Sequence, residues 1–520
     1  MERVLLTGPA PAPGPAPVPA SVAAARTVLG LRSDAVLTVT DEALVVTGPL
    51  CVLRLRELPA SVRAVVADLA AGEHTEEDLG AAVVAGDGLP ALLRLHVTLR
   101  RLDAEGLLDH TLTAGGLPLV RLRPVGRGRT ELPPAPAADT PVKLSRFALA
   151  QVQDGRLTVA APGSHLRVEL APAAAALLGA LADWTTPAGI GTLPGLPEAG
   201  QALRLFGAAG LLAAGGPGDD TESQEPSQAL WEPSDLWLHA RSRGPMTVTE
   251  YGGTYPGAGR FEPLPAVPPA RSTRTVALPV PDLAAVARQD PSLTEALESR
   301  RSVREHDDAA PITDVQLGEL LYRAARCRQT FTGSDGQELA DRPYPSGGAV
   351  HELEIYPLIS HCAGLDPGLW HYRTDRHALE RVAEAGPATA ALVRGAREGA
   401  LMESDPQIVL LVAARFGRVM WKYRTVSYPL LLKHVGVFYQ TVYLIGAAMG
   451  LGVCGLGGGD AADFAAATGL DPRTEGSVGE LVLGSRPAVL RHPSGVPVIQ
   501  GRGSDGPVIA GPDIEGEERP

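Results

Sequence analysis

Two N-terminal stretches of the chain alternate apolar and polar residues with a period of two. In the first, apolar residues take every second position across 37–39, 44–46 and 53–55. In the second, they do so across 157–159 and 166–170, where charged residues fill the positions between. This pattern predicts short strands with one buried and one exposed face.

Both stretches continue into helical patterns that end in the same tripeptide. Gly-Leu-Leu stands at Gly106–Leu108 and again at Gly210–Leu212. A helix that stops at glycine and runs into an apolar strand is typical of a winged-helix module. We therefore predict one winged-helix-like module at residues 25–125 and a second at residues 140–216.

The modules have more than one candidate use. Small winged-helix modules usually present an exposed groove or strand edge, which favours binding of a peptide or a partner protein. The alternative is that they are two small α+β packing domains. DNA binding is another use of this fold, but a formal net charge of -13 argues against a nucleic-acid partner.

Composition divides the rest of the chain. Residues 1–24 are rich in Pro and Ala, and residues 501–520 in Gly, Pro and acidic side chains, so we predict a disordered tail at each end. Residues 217–277 carry acidic and Gly/Pro-rich stretches and are predicted to form a linker. Helical and strand patterns then alternate over residues 278–500, which predicts a larger α+β domain.

One apolar stretch, Tyr428–Val453, is long enough to cross a membrane. It contains Lys433, His434 and Gln440, and a membrane span seldom carries that polar load. We therefore predict a buried core helix and no membrane partner.

The cysteines indicate the compartment. The sequence has four, widely spaced and without a CxxC pair, at Cys51, Cys327, Cys362 and Cys454. This spacing is typical of reduced thiols and fits neither a disulfide framework nor a metal site. The start MERVLL also lacks the basic and apolar regions of a secretory signal, so we expect a cytoplasmic protein.

A basic cluster follows a predicted helix in the large domain. Ser292 and Glu295 have the spacing of a capping box, which predicts a helix start. Where that helix runs out, three guanidiniums and a hydroxyl suit a phosphate or an electron-rich ring edge. They belong to Arg300, Arg301, Ser302 and Arg304. The alternative is a solvated basic turn.

Two glycine-containing loops are further candidates. Pro345, Ser346 and Gly347 open a tight loop before a predicted strand, Leu353–Ile359, and glycine there lets backbone approach a flat ligand. Gly450–Asp460 is predicted as a Gly-rich loop, with no strand before it and no helix clearly opening from it. Each motif by itself is weak, because similar loops occur in ordinary turns.

Taken in order, these motifs resemble one family. RRSVRE, then PSGGA with ELEIY, then an apolar helix ending in GLGVCGLGG are similar to the FMN-dependent nitroreductase superfamily, over about residues 278–491. With LHARSRG…YGGTYPG ahead of them, they most resemble the SagB-type dehydrogenases that oxidise azoline rings in ribosomally made peptides. Cyanobactin-type oxidases of this group carry peptide-binding modules before the flavin domain, as expected here for the doubled N-terminal unit.

This resemblance implies FMN held between the two subunits of a homodimer. The basic cluster is implied to meet the phosphate and ring edge, and Arg486 to close on the phosphate. The implied ring-lining and loop contacts are Pro345, Ser346, Gly347, Gly455, Leu456 and Gly457. The chain departs from the family pattern at Thr441, where Asn is frequent, and at Ala349 after PSGG, so neither is assigned as a ligand.

A lysine–tyrosine pair, Lys422 and Tyr423, predicts the subclass. The azoline dehydrogenases have such a pair at this place. The chain has three lysines among 46 basic residues, so arginine replaces lysine almost everywhere. Arginine would supply charge equally well but cannot give up its proton, which favours a catalytic role for Lys422 over an incidental one.

The expected reaction is dehydrogenation of thiazoline or oxazoline rings to azoles. Tyr423 is expected to act as the base with Lys422 lowering its pKa, or the two exchange roles. The expected partners are an azoline-containing precursor peptide and a cyclodehydratase. Two alternatives stay open, an NAD(P)H-dependent nitro or quinone reductase and a non-catalytic scaffold that recruits the peptide.

Overall fold

The computed structural model describes residues 25–40, 42–192, 199–244, 252–488, 490–491 and 497–498. The chain divides into two units, with the boundary between Tyr251 and Gly252. The predicted tails at residues 1–24 and 501–520 lie outside the described residues.

The first unit is built from short strands and helices. In chain order they are β1 (Arg26–Leu31), β2 (Val36–Val39), β3 (Ala43–Thr47), β4 (Val52–Arg56), α1 (Ala60–Ala71), α2 (Glu76–Asp87), α3 (Leu89–Ala104), β5 (Leu108–Ala114), β6 (Leu117–Pro124), β7 (Leu149–Gln153), β8 (Arg156–Ala160), β9 (Leu166–Leu170), α4 (Ala176–Ala180), α5 (Pro187–Ile190), α6 (Ala199–Ala208), β10 (Gly215–Gly216), β11 (Asp219–Asp220), α7 (Thr221–Gln224), α8 (Pro226–Ala229) and α9 (Pro233–Arg243).

Sheet pairing joins the two halves of this unit. Strands β2, β3 and β4 form one sheet beside α1–α3, and a second sheet runs β1-β5-β6-β9-β8-β7. The antiparallel pair β6–β9 therefore links the two predicted modules. Gly106 and Gly210 both take positive φ just after α3 and α6, as the Gly-Leu-Leu pattern predicts. The winged-helix assignment itself stays a prediction.

The second unit has longer elements. They are β12 (Thr275–Ala277), α10 (Leu283–Gln289), α11 (Leu293–Ser299), α12 (Asp314–Ala325), β13 (Gln329–Thr332), β14 (Glu338–Asp341), β15 (Leu353–Ile359), β16 (Gly368–Arg373), β17 (Ala378–Glu384), α13 (Pro387–Ala400), β18 (Ile408–Arg415), α14 (Phe416–Lys422), α15 (Ser427–Ala448), β19 (Leu451–Leu456), α16 (Ala461–Thr468), β20 (Glu475–Ser485), β21 (Leu490–Arg491) and β22 (Pro497–Val498).

Its central sheet is buried on both faces. The strand order is β12-β17-β16-β15-β18-β20-β19, with antiparallel neighbours throughout. Helices α12 and α15 pack on one face, and α13 and α16 on the other. Strand β18 therefore reads IVLLVAAR, a continuous apolar run, because alternate side chains enter two different cores. This is the mixed α+β architecture that the sequence predicts for this region.

Helix α15 lies inside this unit. By length and apolar composition it is the one helix among the described residues that could cross a membrane. Leu431, Val435, Phe438 and Val442 pack one side of it into the sheet core, whereas 33% of its apolar stretch is buried in all, so the core-helix prediction holds for one face. The helix ends at Ala448, five residues before the predicted end.

The predicted loop at Gly450–Asp460 is partly wrong. Residues Leu451–Leu456 form β19, which pairs along its whole length with β20, and α16 opens directly after Asp460. The strand was not predicted from the sequence because it contains glycines, and glycine is unfavourable in strands. Gly455 is needed there because a Cβ would lie 2.9 Å from the ring of Tyr439.

Candidate functional site

The first group of candidate residues meets around Tyr443 on α15. The Tyr443 hydroxyl accepts a hydrogen bond from the Gly455 amide at 2.7 Å and lies 3.0 Å from the Ser302 hydroxyl. The Arg300 guanidinium sits 5.3 Å from the centre of the Tyr443 ring. Segment 300–306 is held beside β19 by the Val303 amide, which donates to the Val453 carbonyl. The structure thus brings the predicted basic cluster to the glycine-rich strand.

Positive charge accumulates beside this contact. Burial, and then the nearby Arg301 guanidinium, lower the pKa of Arg486 below its ordinary value. Arg301 itself donates to the backbone carbonyls of Glu298 and Arg300. Two guanidiniums close enough to repel each other suit a dianionic phosphate. We call Arg300, Arg301, Ser302, Tyr443, Gly455 and Arg486 the basic group.

Three predicted residues stand apart from the basic group. Arg304 is exposed two residues beyond Ser302, and Gly457 is exposed beyond the end of β19. The Leu456 side chain points into the core beneath α13 and α16. Any contact of Leu456 with a ligand would therefore come from its backbone.

The second group forms around the loop that follows Pro345, which is itself exposed. The Gly347 amide donates to His434 Nε2 at 2.7 Å, so that nitrogen carries no proton. His434 Nδ1 then donates to the carboxylate of buried Glu352 at 2.7 Å. Ser346 Oγ accepts from the His351 amide at 3.0 Å. A buried carboxylate–imidazole pair thus holds the loop from below.

The lysine–tyrosine pair lies against the same loop. Gly348 has φ +64°, and a Cβ there would lie 2.6 Å from the Tyr423 hydroxyl and 3.2 Å from Lys422 Nζ. Glycine suits this position because of its left-handed backbone conformation, and it leaves room for the ends of these two side chains. Residues 346–348 with Lys422 and Tyr423 are the loop group.

The Tyr423 pKa differs from the expectation that Lys422 lowers it. Burial raises the pKa of Tyr423 above its ordinary value, and the neighbouring Lys422 ammonium lowers it by less. Lys422 is ion-paired with Asp335, with 3.2 Å between Nζ and Oδ2. Tyr423 therefore rests as a phenol, and the lowering by Lys422 does not by itself produce a phenolate.

The two groups contact α15 nine residues apart, at His434 and Tyr443. At a rise of about 1.5 Å per residue this is roughly 13 Å along the helix. Each predicted half of the flavin site is therefore assembled locally, at its own place on α15.

Several site residues were missed from the sequence. Asp335 looks like an ordinary Asp-Gly turn residue, so local pattern did not mark it. Tyr255, whose ring centre lies 5.7 Å from Lys422 Nζ, falls in a predicted linker and was not marked either. His434 and Glu352 had a usable signal, because a polar residue on the buried face of an apolar helix needs a buried partner. Tyr443 had none, since tyrosine is unremarkable in a core helix.

Two protein-family models match parts of this chain. The Nitroreductase family model matches residues 297–485. This range includes the loop group and all of the basic group except Arg486, which follows it directly. Residues 297–485 form a nitroreductase-family domain. The model of the cyanobactin oxidase ThcOx matches residues 142–246, ahead of that domain.

Curated relatives fall into two kinds. A nitroreductase-type protein of Methanocaldococcus jannaschii is 27% identical over 183 residues, 35% of this chain and 84% of the relative. The trifolitoxin-processing protein TfxB of Rhizobium leguminosarum is 28% identical over 25% of this chain and 36% of its own length. The microcin B17-processing protein McbC of Escherichia coli is 31% identical over 21% of this chain and 42% of its own length. The chain therefore spans less than half of each peptide-processing relative.

Among solved structures, the E. coli microcin synthetase McbBCD complex with truncated pro-MccB17 contains a similar chain. The likeness has a TM-score of 0.32 at 22% identity and covers 46% of this chain and 88% of that one.

Proposed function

We propose that this protein is an FMN-dependent dehydrogenase that oxidises azoline rings to azoles in a ribosomally made peptide. The observation that carries the proposal is the contact of Lys422 and Tyr423 with Gly348, inside a nitroreductase-family domain. A plain reductase of this fold has no need of a titratable pair there. The relatives named for processing trifolitoxin and microcin B17 support a peptide substrate.

The donors present fit FMN. Arg301 and Arg486 supply positive charge for its phosphate, and Ser302 supplies a hydroxyl. Gly348 is exposed and its backbone packs against Lys422 and Tyr423, so a flat ring that reached this backbone would also reach the pair. Bound FMN would supply the hydride acceptor for the ring Cβ.

The chain's own residues would handle the proton. Dehydrogenation removes a proton from the azoline Cα and a hydride from Cβ, and a double bond forms between the two carbons. Tyr423 rests as a phenol beside the ion-paired Lys422, so the pair must first release one proton to solvent. It then accepts the Cα proton, with either residue as the immediate base. We expect the rate to rise with pH for this reason.

A homodimer would complete the site. The basic group and the loop group lie on separate stretches of α15. We propose that the basic group of one protomer binds the phosphate of a cofactor whose ring lies on the loop group of its partner.

Recruitment of the peptide falls to the first unit in this proposal. Its two modules would bind the precursor peptide or a cyclodehydratase partner. The match of residues 142–246 to the model of the cyanobactin oxidase ThcOx supports this role, because these residues precede the nitroreductase-family domain.

The direct test is incubation of the purified protein with an azoline-bearing peptide. Mass analysis should find the loss of two hydrogens per ring. Lys422→Ala and Tyr423→Phe should retain the yellow cofactor while losing about 10²- to 10⁴-fold in rate. A protein that turns over nitro compounds with NADPH but leaves every azoline intact would contradict the proposal.

A further inference from the structure

Two elements outside the predicted site close around Lys422. One is the strap, residues 252–272, which crosses the end of α14. The amides of Thr254 and Tyr255 both donate to the Lys422 carbonyl, at 3.1 and 3.0 Å. The Gly257 amide donates to the Trp421 carbonyl at 3.1 Å. The strap thus satisfies carbonyls that a helix end leaves without intrahelical partners.

The other element is the turn between β13 and β14. Its Gln337 side chain donates to the Arg418 carbonyl of α14 at 2.9 Å. The backbone N–H of Gln337 donates to Asp335 Oδ1 at 3.1 Å, which leaves Asp335 Oδ2 to pair with Lys422. The turn is therefore docked on α14 in a way that aims one carboxylate oxygen at the ammonium.

Asp335 and Lys422 form a shielded pair. Their side chains are 13% and 12% exposed. The Tyr255 ring centre lies 5.7 Å from Lys422 Nζ, and the Tyr255 side chain also helps to lower the pKa of Asp335. Burial opposes ionisation of Asp335, but hydrogen bonds from Gln337, Lys422 and Tyr255 lower its pKa below the ordinary value. Asp335 therefore stays a carboxylate.

A purely structural ion pair would not explain why residue 422 is a lysine. In a chain with three lysines, arginine would form a stronger, two-pronged pair with a carboxylate. Lysine adds the ability to lose its proton. A carboxylate held at its ammonium opposes that loss and so controls the pH at which it happens.

We propose that Asp335, oriented by Tyr255, is a positioning residue that aims Lys422 at the reaction centre and sets the pH above which the Lys422–Tyr423 pair can accept a proton. This rests on the proposed function. The titratable groups that act on the pair are Asp335 from the turn, Tyr255 from the strap, and the pair's own two members.

The first test is the pH profile of Asp335→Asn, whose amide keeps the shape and loses the charge. Asp335 places a negative charge beside both residues and raises the pKa of Tyr423, so its removal favours proton loss from the pair. The ascending limb of kcat/KM should therefore move to lower pH by about one unit or more. Asp335→Glu, which restores charge, should move it back.

A matched control lies on the same hairpin. Asp341 pairs with Arg328 at 3.1 Å, and both side chains are at least 40% exposed. Asp341→Asn should leave the limb unchanged. Tyr255→Phe keeps the ring over the ammonium and loses the hydroxyl, so it should shift the limb in the same direction as Asp335→Asn by a smaller amount.

A second readout needs no catalysis. Trinitrobenzenesulfonate reacts with unprotonated lysine, and peptide mass analysis can score Lys422 against exposed Lys433 in one sample. Asp335→Asn should raise the Lys422/Lys433 labelling ratio about tenfold. If the wild type oxidises no azoline, the proposed function fails while this ratio still decides the role of Asp335. A folded, yellow Asp335→Asn protein with an unchanged limb and an unchanged ratio overturns the inference alone.

Discussion

Glu480 offers the most quantitative prediction, because a buried acid lies directly beneath the glycine-rich turn after β19. Its side chain is 2% exposed, and a Cβ at Gly459 would collide with its carboxylate. Burial raises the pKa of Glu480 to about 7, and the backbone amide of Asp460 lowers it by less. The folded protein therefore prefers the protonated acid, while the unfolded chain ionises near the ordinary glutamate pKa of 4.5.

The sign of the pH effect follows. Ionisation favours the unfolded chain between these two pKa values, so the free energy of unfolding falls as pH rises from 4.5 to 7 and is then flat. The full shift is worth roughly 3 kcal/mol, and about 2.5 kcal/mol of it develops between pH 5 and pH 8. Glu480→Gln cannot ionise and should escape this loss.

Thermal unfolding at the two pH values measures the difference. Relative to wild type, Glu480→Gln should gain roughly 5–10 °C more in Tm at pH 8 than at pH 5, at about 2–4 °C per kcal/mol. The exposed Glu403→Gln serves as control and should gain nothing at either pH. An equal Tm difference between Glu480→Gln and wild type at both pH values would refute the reasoning.

Two further predictions concern the cofactor. Tyr443→Phe removes the acceptor of the Gly455 amide and the partner of Ser302. A lost hydrogen bond is worth about 1–1.5 kcal/mol, so the Kd for FMN, measured by fluorescence titration, should rise roughly 5- to 13-fold. An unchanged Kd would remove Tyr443 from the site. A site shared between subunits can be tested by mixing equal amounts of two inactive proteins, Arg301→Glu and Lys422→Ala, and letting them exchange subunits. About a quarter of wild-type activity should return, because half of the dimers are mixed and each mixed dimer has one intact site of two. No recovery after confirmed exchange would place both groups in one protomer.

Local signals in the sequence predicted local structure well. The Ser292–Glu295 capping box is present and starts α11, as predicted. The apolar run predicted α15, but its C-terminal bound was wrong because Gly450, at φ +69°, turns the chain into a strand. That strand was missed because its glycines are explained by contacts in the folded protein, above all the packing of Gly455 on Tyr439, and not by local sequence.

Spatial neighbours from distant segments were beyond sequence reasoning. Lys422 was assigned from its type and from resemblance, yet its carboxylate partner lies 87 positions earlier in a turn. Residues 217–244 were assigned to a linker, but α7, α8 and α9 lie there in the first unit. The strap, from the same predicted linker, belongs to the second unit and contributes Tyr255. Only the fold decides which polar residues of a Pro/Gly-rich segment face a site.

A single anaerobic turnover tests the central claim most directly. The purified yellow protein would be mixed without O2 with one equivalent of a peptide that carries one azoline ring. The account predicts one azole formed per flavin, with matching loss of the visible flavin absorbance, and neither change in Lys422→Ala. Flavin that stays oxidised beside an intact azoline, in a protein that binds the peptide, would contradict it.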